Sequence, residues 1–256
     1  MKQLAAMKEA GDKAFVAYIM AGDGGLDRLK SQVQYLQEAG VTAIEIGIPF
    51  SDPVADGPTI EAAGNRALKE GVTLEKVLAE LKSWEFEVTV PLLVMTYLNP
   101  VIKFGIERFV GACKEAGVAG IIIPDLPYEH RQLAKGHLEK AGIALVQLVT
   151  LTTTEKRLEA ILQEAEGFVY AVTVTGITGA RDEMSESVRD FMRRVRAKSP
   201  VPVYAGFGIS RTEHVDMLRG DVDGFIVGSA IVQAFHEGRI DHIKPLIEAV
   251  TAPNPV

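Results

Sequence analysis

Eight short apolar segments alternate with longer amphipathic segments along the 256 residues, and this alternation predicts an α/β fold, a single (β/α)8 barrel. The short segments are rich in Val and Ile and almost continuously hydrophobic, which is typical of parallel strands covered on both faces. No linker-like stretch interrupts the pattern, so one domain is expected over residues 1–256. The predicted strands are residues 14–20, 42–48, 89–95, 119–123, 144–149, 168–173, 201–205 and 223–227.

The segments between these strands carry apolar residues at helical spacing, and several of them end at a glycine. A doubly wound open sheet is the competing architecture, but "AGDGGLD" after the first strand matches its usual Gly-x-Gly-x-x-Gly turn poorly. In a barrel, the active site is expected in the loops that follow the strands. The clearest predicted helices are residues 26–39, 73–83, 106–116, 129–140, 155–165 and 186–198.

The composition, with 47% hydrophobic and 24% charged residues, is that of a globular protein with a large core. A formal net charge of −7 and a pI near 5.4 argue against nucleic acid or an anionic membrane as a partner. An anionic small molecule remains possible, because helix N-termini bind phosphate through backbone N–H groups. The single cysteine, Cys113, is expected in the core. With no recognisable secretory signal or membrane-spanning run, a cytoplasmic location is expected.

The segment "IEIGIPFSDPVADGP", residues 44–58, contains a carboxylate within an apolar strand. Because side chains alternate along a strand, Glu45 lies on the face opposite the isoleucines and is predicted to point into the barrel. Desolvation there raises a carboxyl pKa toward the range useful for acid–base catalysis. The alternative is a structural glutamate held by an Arg or Lys, although no predicted strand places such a residue toward the lumen.

A second acid, Asp56, follows in a loop that contains three prolines. Such a loop holds its geometry at low entropic cost, as a catalytic loop must. Asp is also a favoured N-cap, and a helix is predicted to begin near Thr59. From this stretch alone, catalysis and capping are equally compatible with Asp56.

Two late loops, "YAGFGIS" and "FIVGSAIV", resemble phosphate-binding turns. Each supplies glycine and then a serine, Ser210 or Ser229, expected to cap the next helix. Loops after the seventh and eighth strands of a barrel often bind phosphate, although ordinary strand-to-helix turns also favour these residues. The loop 174–184, "VTGITGARDEM", could be a lid over a phosphate ester or an irregular connection.

Other catalytic arrangements are missing from the sequence. There is no metal-ligand spacing of His and Cys, no Ser/His/Asp arrangement and no P-loop, and the five histidines fall in helical stretches. No lysine occupies an inward-facing strand position, which argues against Schiff-base chemistry. The residues therefore favour acid–base cleavage or isomerisation of a sugar phosphate, with no metal.

Several motifs together resemble the tryptophan synthase α-subunit family, a family of TIM barrels. They occur in family order over nearly the whole chain: "AFVAYIMAGDG", "IEIGIPFSDPVADGPTI", "MTYLNPV", "PDLP", "TGITGA", "AGFGIS" and "IVGSAIV". The resemblance implies cleavage of indole-3-glycerol phosphate to indole and glyceraldehyde 3-phosphate.

The resemblance also implies roles for individual residues. Glu45 and Asp56 match the two catalytic acids, and Tyr170 matches a tyrosine near the reacting centre. The other implied substrate contacts are Tyr18, Met95, Tyr97 and Phe207 around the indole, and Gly179, Ala180, Gly208, Gly228 and Ser229 around the phosphate.

The family assembles with a β subunit into an αββα complex, so the resemblance implies that partner here. Pyridoxal phosphate (PLP) is expected in the β subunit, and no cofactor is expected in this chain. Two other functions remain open: a stand-alone lyase that releases free indole, and a non-catalytic barrel that binds sugar phosphates and regulates a partner.

Overall fold

The computed structural model describes residues 1–172, 181–206 and 208–252, and only the backbone of residues 181–185. Its strands form one continuous sheet in which every neighbouring pair is parallel. The strands are β1 (Ala14–Met20), β2 (Ala43–Gly47), β3 (Leu92–Met95), β4 (Val118–Ile122), β5 (Ala144–Leu145), β6 (Gln147–Thr150), β7 (Val169–Val172), β8 (Val203–Gly206) and β9 (Gly224–Val227).

Helices cover the outside of this sheet. The described helices are α1 (Lys2–Ala10), α2 (Arg28–Glu38), α3 (Pro58–Lys69), α4 (Leu74–Lys82), α5 (Leu98–Phe104), α6 (Ile106–Glu115), α7 (Gln132–Ala141), α8 (Glu155–Gln163), α9 (Arg181–Lys198), α10 (Thr212–Leu218), α11 (Ser229–Glu237) and α12 (Ile243–Thr251). Short 3₁₀ turns occur at Tyr128–His130 and Ile240–His242. Among the described residues, no helix has both the length and the apolar character needed to cross a bilayer.

The order of strands in the sheet confirms the predicted barrel, with one difference at the fifth strand. The order is β5-β4-β3-β2-β1-β9-β8-β7-β6. The segment predicted as one strand, 144–149, is divided at Val146: β5 pairs with β4, and β6 pairs with β7. The N–H of Val146 donates to the carbonyl of Ile121 at 2.9 Å, which continues the ladder on the β4 side. This single stretch of chain therefore joins the two edges of the sheet and closes the barrel.

The alternation along β2 places one set of side chains against the helices and the other in the barrel lumen. Ile44 and Ile46 are fully buried on the outer face, as predicted from their spacing. Glu45 lies opposite Tyr18 of β1 on one side and Leu93 of β3 on the other. Burial of Cys113 on α6 confirms its predicted place in the core, and burial raises the pKa of its thiol to about 12.

An ionic clamp at the N-terminal end of the strands holds α9 against the sheet. Asp223, which is 4% exposed, accepts the Nε–H of Arg196 at 2.8 Å and the backbone N–H of Val203 at 3.0 Å. The carboxylate thus satisfies a buried backbone donor on β8 and a cation on α9 at once. This end of a barrel contributes to stability rather than to catalysis.

Replacing Asp223 with Ala is expected to lower the free energy of unfolding by about 2–3 kcal/mol, because the Val203 N–H loses its buried acceptor and Arg196 its partner. Urea denaturation followed by circular dichroism measures the change. Asp190→Ala is the control: that side chain is exposed and pairs with Arg193 at the surface, so its loss is expected to cost under about 0.5 kcal/mol. Equal losses in the two variants would contradict the clamp.

Candidate active site

Glu45 is buried without a hydrogen-bonding partner. It is 0% exposed, and among the described residues neither carboxyl oxygen has a hydrogen bond. The alternative of a structural glutamate held by Arg or Lys is therefore wrong for the described part of the chain. Burial, with a smaller contribution from the charge of Asp56, raises the pKa of Glu45 to about 8. The group consequently carries its proton at neutral pH.

Asp56 lies in the loop between β2 and α3 and has a specific hydrogen-bonding partner. The hydroxyl of Tyr97 donates to its Oδ1 at 2.8 Å, and the N–H of Ala55 donates to that hydroxyl at 3.1 Å. Helix α3 begins at Pro58 with Gly57 as its N-cap, so the interpretation of Asp56 as the cap of this helix is wrong. Its carboxylate is instead held toward the barrel mouth.

The two acids have different environments and therefore ionise in a defined order. Burial raises the pKa of Asp56, but the hydrogen bond from Tyr97 opposes this shift by stabilising the carboxylate. Glu45 lacks such a donor among the described residues, and the Asp56 charge itself raises the pKa of Glu45. The surroundings of Asp56 thus favour a carboxylate more than those of Glu45 do.

Two tyrosines approach this pair from β1 and β7, and each crosses a glycine. A Cβ on Gly47 would lie 2.0 Å from the Tyr18 hydroxyl oxygen, and a Cβ on Gly206 would lie 2.2 Å from Cε1 of Tyr170. Only glycine leaves room for these rings. The charges of Glu45 and Asp56 add to burial in raising the pKa of both tyrosines, so both remain phenols at neutral pH.

Met95 and Tyr97 complete the upper part of the site from β3 and the residues after it. Met95 is nearly buried and lies opposite Gly47 in the β2–β3 register. The Tyr97 ring packs against Phe50, with 5.3 Å between ring centroids. The structure thus brings together the predicted residues Tyr18, Glu45, Asp56, Met95, Tyr97 and Tyr170.

A cavity of about 710 Å³ opens against Asp56. It extends between the loops after β4 and β6, where Ile123, Pro124 and Leu148 provide apolar walls. Glu45 is not among its lining residues, so the cavity reaches one acid of the pair and leaves the other covered. The polar lining, which the sequence analysis did not predict, comprises Gln147, Thr150, Thr152, Thr153, Thr154 and Arg157.

The predicted phosphate loops are only partly described. Gly208 has φ of +85°, and Gly228 is the residue that precedes α11. Ser229 is the first residue of α11 and Arg211 precedes α10, so the expected capping roles of Ser210 and Ser229 are wrong. The first N–H groups of α11 still have no acceptor within the helix, as anion binding requires. Phe207, Gly179, Ala180 and the first part of the 174–184 loop lie outside the described residues.

Ser210, Thr212 and Ser229 share one cleft of about 890 Å³, but α11 and the segment 239–246 form most of its walls, and neither Gly208 nor Gly228 is among its described lining residues. Within the described residues, no group of three or more His, Cys, Asp or Glu side chains could hold a metal ion. The hydrogen bond between Tyr97 and Asp56 was not predicted from the sequence, because the resemblance placed that tyrosine around the indole. The only sequence signal for this contact was the polar hydroxyl of Tyr97 just after β3.

A parallel barrel that carries two carboxylates of unequal acidity at the C-terminal ends of its strands defines an acid–base barrel enzyme. Comparison with known proteins identifies the family. The sequence profile described as "Tryptophan synthase alpha chain" matches residues 4–253. The chain belongs to this family, and with it has the alpha-subunit role in tryptophan biosynthesis, the lyase reaction that cleaves indole-3-glycerol phosphate.

Curated relatives support this assignment over the full length. The tryptophan synthase alpha chain of Bacillus cereus is 49% identical over 249 residues, which cover 97% of this chain and 96% of the relative. That of Bacillus mycoides is 48% identical over 250 residues, covering 98% of this chain and 97% of the relative.

Solved structures share the fold. Tryptophan synthase subunit alpha from Campylobacter jejuni has a TM-score of 0.83 at 32% identity, with 93% of this chain and 96% of that chain covered. A chain of tryptophan synthase from Mycobacterium tuberculosis has a TM-score of 0.86 at 31% identity, with 98% and 96% covered.

Replacing Glu45 with Gln is expected to flatten the pH dependence of stability. The pKa of this carboxyl is about 4.5 in the unfolded chain and about 8 in the folded one. Between these values the unfolded state binds fewer protons, so the free energy of unfolding falls as pH rises, by at most about 1.4 kcal/mol per unit. Gln removes this penalty.

Urea denaturation at pH 5, 6, 7 and 8 measures the effect. The stability of Glu45→Gln is expected to increase relative to the wild type across this range. Glu85→Gln, at an exposed site, serves as the control and is expected to follow the wild type. If the stabilities of Glu45→Gln and wild type changed with pH in parallel, folding would not raise the pKa of Glu45.

Proposed function

We propose that Glu45 and Asp56 together carry out the cleavage of indole-3-glycerol phosphate. The observation that carries this proposal is the fully buried Glu45 carboxyl without a described partner, beside an aspartate that is held by one. Burying an unpaired polar group costs stability, and an acid–base role gives that cost a function. The pair supplies a proton donor and a fixed negative charge in one site.

Glu45 acts first as an acid and then as a base. Its protonated carboxyl delivers a proton to C3 of the indole, which gives an indolenine-like species with positive charge at the ring nitrogen. The bond between C3 and C3′ of the glycerol chain then breaks, and its electrons return to the ring. The Glu45 carboxylate takes the proton from the C3′ hydroxyl as that carbon becomes the aldehyde, so the acid ends the cycle protonated.

Asp56 stabilises the charge that develops at the ring nitrogen. An ionised carboxylate that accepts the indole N–H interacts more strongly with the protonated ring than with the neutral substrate, which lowers the barrier. The Tyr97 hydroxyl supports this role, because its hydrogen bond favours the carboxylate form of Asp56. The hydrogen bond from Tyr97 therefore sets both the position and the charge of Asp56.

The remaining predicted residues bind the substrate. Tyr18 and Met95 would surround the indole ring, and Tyr170 would lie near the reacting centre as a phenol. Glycerol phosphate would extend toward Gly208, Gly228 and Ser229 at the start of α11, with Gly179 and Ala180 contributing from outside the described residues. Phe207, which also lies outside them, would join the residues around the indole ring.

A non-catalytic sugar-phosphate-binding barrel is the alternative from another functional class. Such a protein needs the phosphate loops but gains nothing from a buried acid without a partner. The environment of Glu45 thus favours catalysis over binding alone.

Glu45→Gln is expected to reduce indole formation by at least about 10²-fold while binding of a phosphate-ester substrate analogue persists, because only proton transfer is removed. Stopped assays of indole release and calorimetric titration of the analogue measure the two effects. Glu85→Gln controls for the loss of a carboxylate. Full activity in Glu45→Gln would rule out the proposed proton transfer.

In the wild-type enzyme, kcat/KM is expected to rise as Asp56 ionises and to fall above about pH 8, as Glu45 loses its proton. In the residual activity of Glu45→Gln, the fall in kcat/KM above about pH 8 should be absent. A profile that keeps rising through pH 9 would contradict the assignment of the acid.

A β subunit is the expected partner, in an αββα complex in the cytoplasm, and PLP would be bound by that subunit rather than by this chain. Support comes from family membership. The Asp56 loop itself is accessible to a partner, since Val54 within it is 82% exposed. A partner that covers this loop would act directly on the position of Asp56.

Indole release by the purified chain, measured with and without an added β subunit, tests this partnership. Slow release alone and strong acceleration by the partner are expected, since a partner that covers the loop excludes water from the site. Fast release that the β subunit leaves unchanged would instead indicate a stand-alone lyase. No release in either condition would contradict the proposed roles of Glu45 and Asp56.

A further inference from the structure

The carboxylate of Asp125 lies in the "PDLP" loop after β4 and contacts the backbone that carries Tyr97. Its Oδ1 accepts the N–H of Leu98 at 2.8 Å. Leu98 is the first residue of α5, where a backbone donor has no acceptor within the helix. Asp125 thus satisfies this donor from a neighbouring loop.

Tyr97 is held on both sides by β4 and the loop that follows it. The N–H of Thr96, one residue before Tyr97, donates to the carbonyl of Ile122 at 3.0 Å. The N–H of Leu98, one residue after it, donates to Asp125. The first contact continues the β3–β4 ladder, whereas the second depends on one side chain.

From this fixed backbone the Tyr97 hydroxyl reaches Asp56, at 2.8 Å from Oδ1. The tyrosine is 3% exposed and its ring packs against Phe50, so the hydroxyl has little freedom to compensate for a shift of the main chain. A displacement of Leu98 would therefore lengthen the Tyr97–Asp56 hydrogen bond. Hydrogen bonds of this kind weaken steeply as distance and angle depart from their optimum.

We propose that Asp125 is a positioning residue for Asp56, acting through the Leu98 backbone and the Tyr97 hydroxyl. The carboxylate itself touches neither Asp56 nor Tyr97 through a described hydrogen bond. Its contribution to the reaction is to keep Asp56 aimed and ionised, so the inference rests on the proposed role of Asp56.

Several titratable groups lie near Asp56, and a test of Asp125 has to leave their effects unchanged. The Tyr97 hydrogen bond lowers the pKa of Asp56, whereas burial and the charge of Glu61 on α3 raise it. Glu45, Tyr18 and Tyr170 face the same carboxylate, and its charge raises the pKa of each. Substituting Asp125 leaves all of these groups in place.

The test combines Asp125→Ala, Asp125→Asn, Tyr97→Phe and the double variant Asp125→Ala/Tyr97→Phe. Asp125→Ala is expected to lower kcat about tenfold with little change in KM, since misplacing a catalytic group affects the transition state more than substrate binding. Asp125→Asn retains an oxygen acceptor and is expected to keep activity within about twofold. The double variant is expected to be no slower than Tyr97→Phe, because both changes break one chain of contacts.

The second readout is the carboxyl pKa of Asp56, followed by carbon-13 NMR in the substrate-free protein. Asp125→Ala and Tyr97→Phe are both expected to raise it, because each loosens the hydrogen bond that lowers it. Leu98→Pro removes the same donor and should shift it in the same direction. Proline is tolerated at the first position of a helix, so this variant serves if Asp125→Ala fails to fold.

Asp12→Ala, at an exposed site before β1, controls for the loss of a carboxylate and is expected to match the wild type. Multiplying effects of Asp125→Ala and Tyr97→Phe on kcat, or an unchanged Asp56 pKa in Asp125→Ala, would overturn the proposal. A raised Asp56 pKa with unchanged kcat would support the contact chain and would count instead against the catalytic role of Asp56.

Discussion

The burial of Glu45 among apolar strands is the constraint on which the rest of the site depends. A carboxyl group in this position keeps its proton, because the lumen offers it neither water nor, among the described residues, a hydrogen-bonding partner. The proposed reaction then requires a separate anion, and Asp56 would provide it from a loop where a tyrosine can donate to it. Two identical chemical groups thus acquire different acidities from their surroundings.

Much of this arrangement follows from simple periodicities. Alternation along residues 42–48 correctly predicted that Glu45 faces inward, and the repeat of strands and helices predicted the barrel. The division of the fifth strand at Val146 was beyond this reasoning, because an apolar run has the same appearance whether it pairs with one neighbour or passes between two.

The local pattern around Asp56 was compatible with two roles, and only a contact distant in sequence distinguishes them. The hydroxyl that holds this aspartate comes from Tyr97, 41 residues away, and a helix-capping rule contains no information about such a partner. The same holds for Asp125, whose acceptor role depends on where α5 begins. Predictions from spacing succeed for faces of strands, whereas hydrogen-bond partners between loops require the three-dimensional fold.

The divided fifth strand also separates two parts of the molecule that can change independently. Glu45 lies on β2, which has ladder partners on both sides, whereas the cavity wall follows the seam between β4 and β6. Substitutions along that seam alter the shape and polarity of the cavity without touching the strands that hold the buried acid. Such a barrel can vary what its cavity admits while the buried carboxyl of Glu45 keeps its surroundings.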